Sequence, residues 1–162
     1  MPRIISALAT LICIASAPLA AQTVTGKVVR VADGDTITVL DAANAQHKVR
    51  LEKIDAPEKG QAFGQASKKH LAEIVAGRSV RVEWEKRDKY GRVLGVVYVG
   101  ETNANLQMVK DGYAWHYKRF DDTPVYAQAE KAAREKRLGL WADGNPIAPW
   151  DFRKLKQTKE RQ

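Results

Sequence analysis

Two aspartates flank a glycine in Asp33-Gly34-Asp35, just before the β-branched run Thr36-Ile-Thr-Val-Leu40. Alternate residues of an extended chain face the same side, so side chains at i and i+2 can aim at one point. Taken alone, this is a turn with two solvated carboxylates. Further on, Ile54-Asp-Ala-Pro-Glu58 adds Asp55 and Glu58 on a segment stiffened by Pro57, which holds Ala56 extended. Two acids at a turn can be merely solvated, but their combination with Asp35 favours a functional reading, since hard divalent cations take several oxygen ligands from carboxylates, carbonyls and water. Arg50, in His47-Lys-Val-Arg-Leu51, shares a strand face with Lys48 while Val49 and Leu51 take the other. On a barrel groove such an arginine grips phosphate with two parallel hydrogen bonds; elsewhere it is solvated. Asp88-Lys-Tyr-Gly-Arg92 places Lys89, Tyr90 and Arg92 on one short loop, all able to donate to phosphate oxygens, with Gly91 at a demanding backbone position.

The elements that must hold these groups follow from periodicity. Val24 to Val31, Thr36 to Leu40 and Lys48 to Ile54 are rich in Val, Ile and Thr and are expected as strands, the first two joined by a turn at Asp33-Gly34. Gln61 to Ala76 sets Phe63, Ser67, Leu71, Ile74 and Val75 on one helical face, with Gly77 as its stop. Val80, Val82 and Trp84 alternate with charged residues, and Val93 to Val99 is a more continuous apolar strand. A short helix carries Leu106, Val109 and Tyr113, and a longer one opens at Asp122-Thr-Pro124 and stops at Gly139. The order is three strands, a helix, two strands and two helices. It predicts an α+β, mainly β fold: a five-stranded oligonucleotide/oligosaccharide-binding (OB-fold) barrel with three α-helices, or else an open α+β sandwich.

Residues 1–21 read as a secretory signal peptide. Arg3 is followed by an uncharged run from Ile4 to Ala21, short for a membrane span and interrupted by Pro18, with small residues for cleavage. The single cysteine, Cys13, lies inside it. The expected product is exported, to the periplasm or the medium, with no stable membrane anchor and no disulfide. Residues 22–153 are expected as one domain and 154–162 as a basic tail. Without Arg3 the chain keeps 26 basic against 19 acidic side chains. Such a charge favours polyanions: nucleic acid, lipopolysaccharide or anionic lipid. No serine or cysteine stands in a nucleophile motif, no phosphate loop follows Gly60 and Gly64, and His47, His70 and His116 lack a paired metal spacing.

Asp33-Gly-Asp-Thr36, Arg50 ahead of Asp55-Ala-Pro-Glu58, and Asp88-Lys-Tyr-Gly-Arg92, in this order and spacing, resemble the thermonucleases, the staphylococcal nuclease-like domains. Gly139-Leu-Trp141 and Pro149-Trp-Asp-Phe-Arg153 are similar to the ends of bacterial members, so the likeness runs from about Thr23 to Arg153. The resemblance implies a calcium-dependent phosphodiesterase acting on DNA and RNA, as a monomer, and leaving 3′-phosphate ends. It makes Asp35, Asp55 and the carbonyl of Ala56 the Ca2+ ligands, with Asp33 supporting them. It makes Glu58 the general base, Arg50 and Arg92 the catalytic arginines, and Lys89 and Tyr90 the binders of a terminal phosphate. Tyr113-Ala-Trp-His-Tyr-Lys-Arg-Phe120 interleaves aromatic and basic residues; Trp115 and Tyr117 are the candidates for stacking a base, the alternative being that Tyr113, Trp115 and Phe120 belong to the core. Two readings from other classes stand beside this one. A binding module that had lost catalysis would lack some of the acids or arginines present here. A cationic envelope-binding protein would need no calcium.

Overall fold

Val, Ile and Thr at alternate positions build a barrel whose inner face excludes water. The computed structural model describes residues 22–161; the expected signal peptide, with Cys13, lies outside the described residues. The strands are β1 (Gln22–Val31), β2 (Thr36–Asp41), β3 (Gln46–Leu51), β4 (Ile54–Asp55), β5 (Ser79–Arg87), β6 (Val93–Val99), β7 (Thr102–Asn103) and β8 (Trp115–His116). The helices are α1 (Gly64–Val75), α2 (Ala104–Lys110), α3 (Pro124–Glu135) and α4 (Pro149–Glu160). The main sheet runs β3-β2-β1-β5-β6-β7, and a parallel pairing of β3 with β6 closes five strands on themselves. Closure leaves the large strands no free edge. Bulges in β1 between Val28 and Arg30 and in β5 between Trp84 and Lys86 supply the bending that closure needs. Ile37, Val39, Val49, Leu51, Val80, Val82, Val93 and Val97 fill the interior. This is the expected OB-fold architecture.

The structure differs from expectation in two places that matter for the site. The strand expected over 48–54 breaks after Leu51. Lys53 takes a left-handed conformation (φ 68°), and Ile54–Asp55 leaves the barrel to pair with β8. Such a backbone costs a lysine about 1–2 kcal/mol. Contacts from a distant segment hold it: the Lys53 ammonium meets Asp121 at 3.1 Å and Thr123 at 3.0 Å, and its carbonyl accepts from the Tyr117 N–H. Second, the described residues form four α-helices rather than three. The added one, α4, starts with Pro149 at its first turn and runs through the stretch expected as a tail to Glu160.

A small second core fixes where α4 begins. Trp115, Ala133, Leu140, Trp141 and Ala148 are buried together, with Phe63 and Trp150 packed against them. The Trp115 ring meets Trp141 and Trp150 edge-on, and Trp150 stacks flat on Tyr117. The first turn of α4 is thereby bolted to β8, next to β4.

Candidate active site

The turn between β1 and β2 delivers the first carboxylate. The Asp35 N–H donates to Asp33 Oδ1 at 3.1 Å, so Asp33 shapes the turn while its neighbour points inward. Gly34 lets the turn lie against α1: a Cβ there would fall 2.0 Å from Ser67 Oγ and 2.7 Å from Ala56 Cβ. Asp35 is buried, accepting from the Thr36 hydroxyl (3.1 Å) and the Ala56 N–H (2.9 Å). Burial pushes its carboxyl up to about 7; Arg50 opposes the rise, and Asp33 and Asp55 add to it. Burial thus outweighs what the neighbouring guanidinium offsets.

Arg50 joins the two halves of the site. Its Nη1 lies 3.1 Å from Asp35 Oδ2, and its Nη2 donates to Asp55 Oδ1 at 2.9 Å. Nη1 also donates to the carbonyls of Leu51 (2.7 Å) and Ile54 (3.1 Å), so the break between β3 and β4 wraps around the guanidinium. Asp55 is 1% exposed and Ala56 is buried beside it. Glu58 follows Pro57 and sits in a tight turn: the Gln61 N–H donates to the Glu58 carbonyl, and the Glu58 N–H donates to the Gln61 side chain. With only Lys59 and Gly60 before Gln61, the short connection holds the Glu58 backbone and leaves its side chain to other partners.

Arg153 stands outside the sequence motifs that mark the other site residues. From the start of the second turn of α4 its Nη2 donates to Asp55 Oδ2 at 2.7 Å, and its Nη1 donates to Glu58 Oε1 at 2.6 Å and to Asp55 Oδ1 at 3.2 Å. Those bonds, the ones to Asp55 foremost, raise its pKa above the usual arginine range against the effect of burial. Three carboxylates are therefore bridged by two guanidinium groups. The signal that could have found Arg153 is a helix start: proline at Pro149 followed by the anchoring rings Trp150 and Phe152.

The Asp88–Arg92 loop stands at the mouth of the neighbouring strand. The Asp88 carboxylate accepts from the Tyr90 and Arg92 N–H groups (2.9 Å each) and from Arg92 Nε (2.7 Å). Burial works against its ionisation, but these bonds win and hold its pKa below the ordinary value. Gly91 has φ 78°, the left-handed turn position expected of it. Leu94 is in register with Arg50 across the parallel β3–β6 pair, so Arg92, two residues earlier, shares the outer face with Arg50. The Arg92 guanidinium is committed to Asp88 and lies over the Tyr90 ring, not on the carboxylates. Tyr90 is 72% exposed, and Lys89 is exposed beside it with its ammonium over the same ring.

Trp115 and Tyr117 divide. The Trp115 ring is core, sandwiched by Trp141, Trp150 and the Arg134 guanidinium. Tyr117 is half-buried and lines a cavity of about 360 Å³ with Trp150, Lys118, Arg119, Arg134 and Lys154. The three histidines pair with aspartates, His47 with Asp41, His70 with Asp111 and buried His116 with Asp121, and are structural.

The donor set suits a hard cation. Asp35 and Asp55 are nearly dry, converge on Arg50, and adjoin the backbone of Ala56. Among the described residues no three His, Cys, Asp or Glu side chains form a metal-binding group by themselves. Any ion held here would need carbonyl oxygen and water to complete its shell, as calcium accepts.

Comparison with known proteins places the chain in a family. The family model described as staphylococcal nuclease homologue matches residues 48–143. An "uncharacterized endonuclease" of Haemophilus influenzae is 51% identical over 130 residues, covering 80% of this chain and 73% of that protein. One of the same description from Escherichia coli is 43% identical over 140 residues, covering 86% and 91%. A "micrococcal nuclease" of Shigella flexneri is 46% identical over 146 residues, covering 82% of each.

Proposed function

Since the chain belongs to the staphylococcal nuclease family and is a nuclease, we propose that it hydrolyses phosphodiester bonds of both DNA and RNA, with calcium and with little base specificity. The observation that carries this reading is the convergence of Asp35 and Asp55 on Arg50, with Glu58 one side chain away across Arg153.

In this reading Asp35, Asp55 and the Ala56 carbonyl hold calcium. The bound ion supplies Lewis-acid polarisation of a non-bridging phosphate oxygen, lessening the repulsion between two anions. Arg50 and Arg92 receive the equatorial oxygens as charge grows on them. Arg92 must then turn part of its donor fork from Asp88 toward the phosphate. Arginine keeps its proton at any working pH, so its contribution is electrostatic rather than proton donation. Glu58 orients or deprotonates the attacking water. Attack on the 5′ side of the linkage leaves a 3′-phosphate, which fits Lys89 and Tyr90 as donors to a terminal phosphate. Tyr117 is the ring proposed to stack a base, backed by Trp150, which in turn packs on Trp115. Recognition of phosphates and ring faces carries little sequence information, hence the broad substrate range. The uncharged N-terminal run supports export to the periplasm or medium, and the excess of basic side chains supports an encounter with nucleic acid there.

The test is digestion of plasmid DNA and of RNA with calcium or with a chelator, with product ends identified. Calcium-dependent cutting with 3′-phosphate ends, lost in D35A, is expected. Binding without cutting in calcium would overturn the catalytic reading. Processing of the N-terminus is checked by sequencing the protein recovered outside the cytoplasm.

A further inference from the structure

Among the described residues, Arg153 is the group that the Glu58 carboxylate bonds, at 2.6 Å. The same guanidinium reaches both oxygens of Asp55, 98 positions earlier in the chain. Its mount is firm. Pro149 is buried, Trp150 lies flat on Tyr117 with 3° between the planes, and Phe152 lines a cleft with Pro57 and Phe63. An arginine on a loose tail would be a removable plug; one held by two rings and a proline is a fixture.

We infer that Arg153 is a positioning residue for the hydrolytic reaction, an inference that rests on the nuclease reading above. One arm of its fork aims Glu58 at the water position. The other occupies the cation side of Asp55 and yields it when the metal binds. Glu58 stands on a turn with few other restraints on its side chain, and a water-activating group displaced by an ångström loses about a hundredfold in rate. A positive charge beside a cation site also repels the incoming ion. Two effects of opposite sign follow: removing Arg153 weakens turnover and strengthens metal binding. A merely structural residue would weaken both.

The experiment compares wild type, R153A, R153K and R153Q. Calcium alone is titrated by calorimetry, and kcat and KM are measured on a single-stranded oligonucleotide. R153A is expected to bind calcium about tenfold tighter, the loss of one near charge. Its kcat should fall about 100-fold with KM changed less than about threefold. R153K, which keeps the charge and one bond to Glu58, should hold wild-type calcium affinity and recover about tenfold of that loss. If R153A fails to fold, R153Q decides the matter: it too must bind calcium more tightly and turn over more slowly. Equal or faster turnover in R153A or R153Q overturns the inference, as does calcium affinity that falls together with kcat. A wild-type protein that does not cut in calcium overturns the nuclease reading itself, a different result from cutting that ignores Arg153.

Discussion

Asp55 and Trp115 sit opposite one another across the two-residue ladder of β4 and β8. A carboxylate buried at the site and an indole buried in the second core are thus joined by backbone hydrogen bonds. Whatever moves the Trp115, Trp141 and Trp150 cluster moves Asp55, and Arg153, mounted on the same cluster, moves with it. The site is held from both the barrel and the helical side.

Gly34→Ala tests how tightly the first aspartate's turn is packed. The added methyl meets Ser67 and Ala56 well inside contact distance. The variant should lose about 1–3 kcal/mol by urea denaturation and bind calcium more weakly. Removing Ser67 Oγ as well, in G34A/S67A, should recover part of the stability. A lone G34A as stable as wild type would mean that the turn has room to shift.

Arg92→Lys separates charge from geometry. Lysine keeps the charge but offers no planar fork. Turnover on plasmid DNA should fall about 100-fold, the scale of losing one oriented donor at a developing charge. Near-wild-type turnover would show that two-pronged recognition by Arg92 is not used.

Asp35 sets a pH dependence. Its carboxyl titrates near 7 in the folded protein and near 3.8 when unfolded. The folded state therefore keeps a proton that the unfolded state has lost, and metal-free stability falls as pH rises between these values. Calcium needs the ionised form, so its stabilising effect should grow as pH rises through 7. Melting temperatures with calcium and with chelator, at pH 5.5 and pH 8, give the comparison. Equal calcium-induced shifts at both would contradict it. Asp35→Asn should abolish the pH-dependent part.

Asp121 acts in the opposite direction. Burial disfavours its charge, but bonds from Thr123, His116 and Lys53 outweigh that and depress its pKa. Its contribution is present above the ordinary carboxylate range and is lost as pH falls through the depressed value. Asp121→Asn should lower the melting temperature at pH 7. The effect should shrink as pH falls through the depressed value, and the variant should also disturb the site, because Lys53 holds the break between β3 and β4 through Asp121.

Much of the site was legible without coordinates because its residues stand in short, stiff segments. Asp33-Gly-Asp35, Arg50, Asp55-Ala-Pro-Glu58 and Asp88 to Arg92 each carry their own turn or strand chemistry, and the alternation of Lys48, Val49, Arg50 and Leu51 assigned Arg50 to the outer face. Trp115 was harder. Its neighbours in sequence are a histidine and a tyrosine, and only the packing of α3, the Gly139–Ala142 turn and α4 makes its ring core while Tyr117 stays accessible. The helix from Pro149 was hidden by its own composition: beyond Trp150, Phe152 and Leu155 it is polar and exposed, so no continuous apolar stripe announced it.

The amino-acid sequence by itself determined the strand periods, the turns and the identity of the acids and of Arg50 and Arg92, because these depend on neighbours two to four residues away. The tertiary structure decided where the third strand breaks, which aromatic ring faces solvent, and that Arg153 lies on Asp55 and Glu58. Those outcomes depend on contacts between segments as much as 98 residues apart, whose energies exceed the local preferences of the residues that make them.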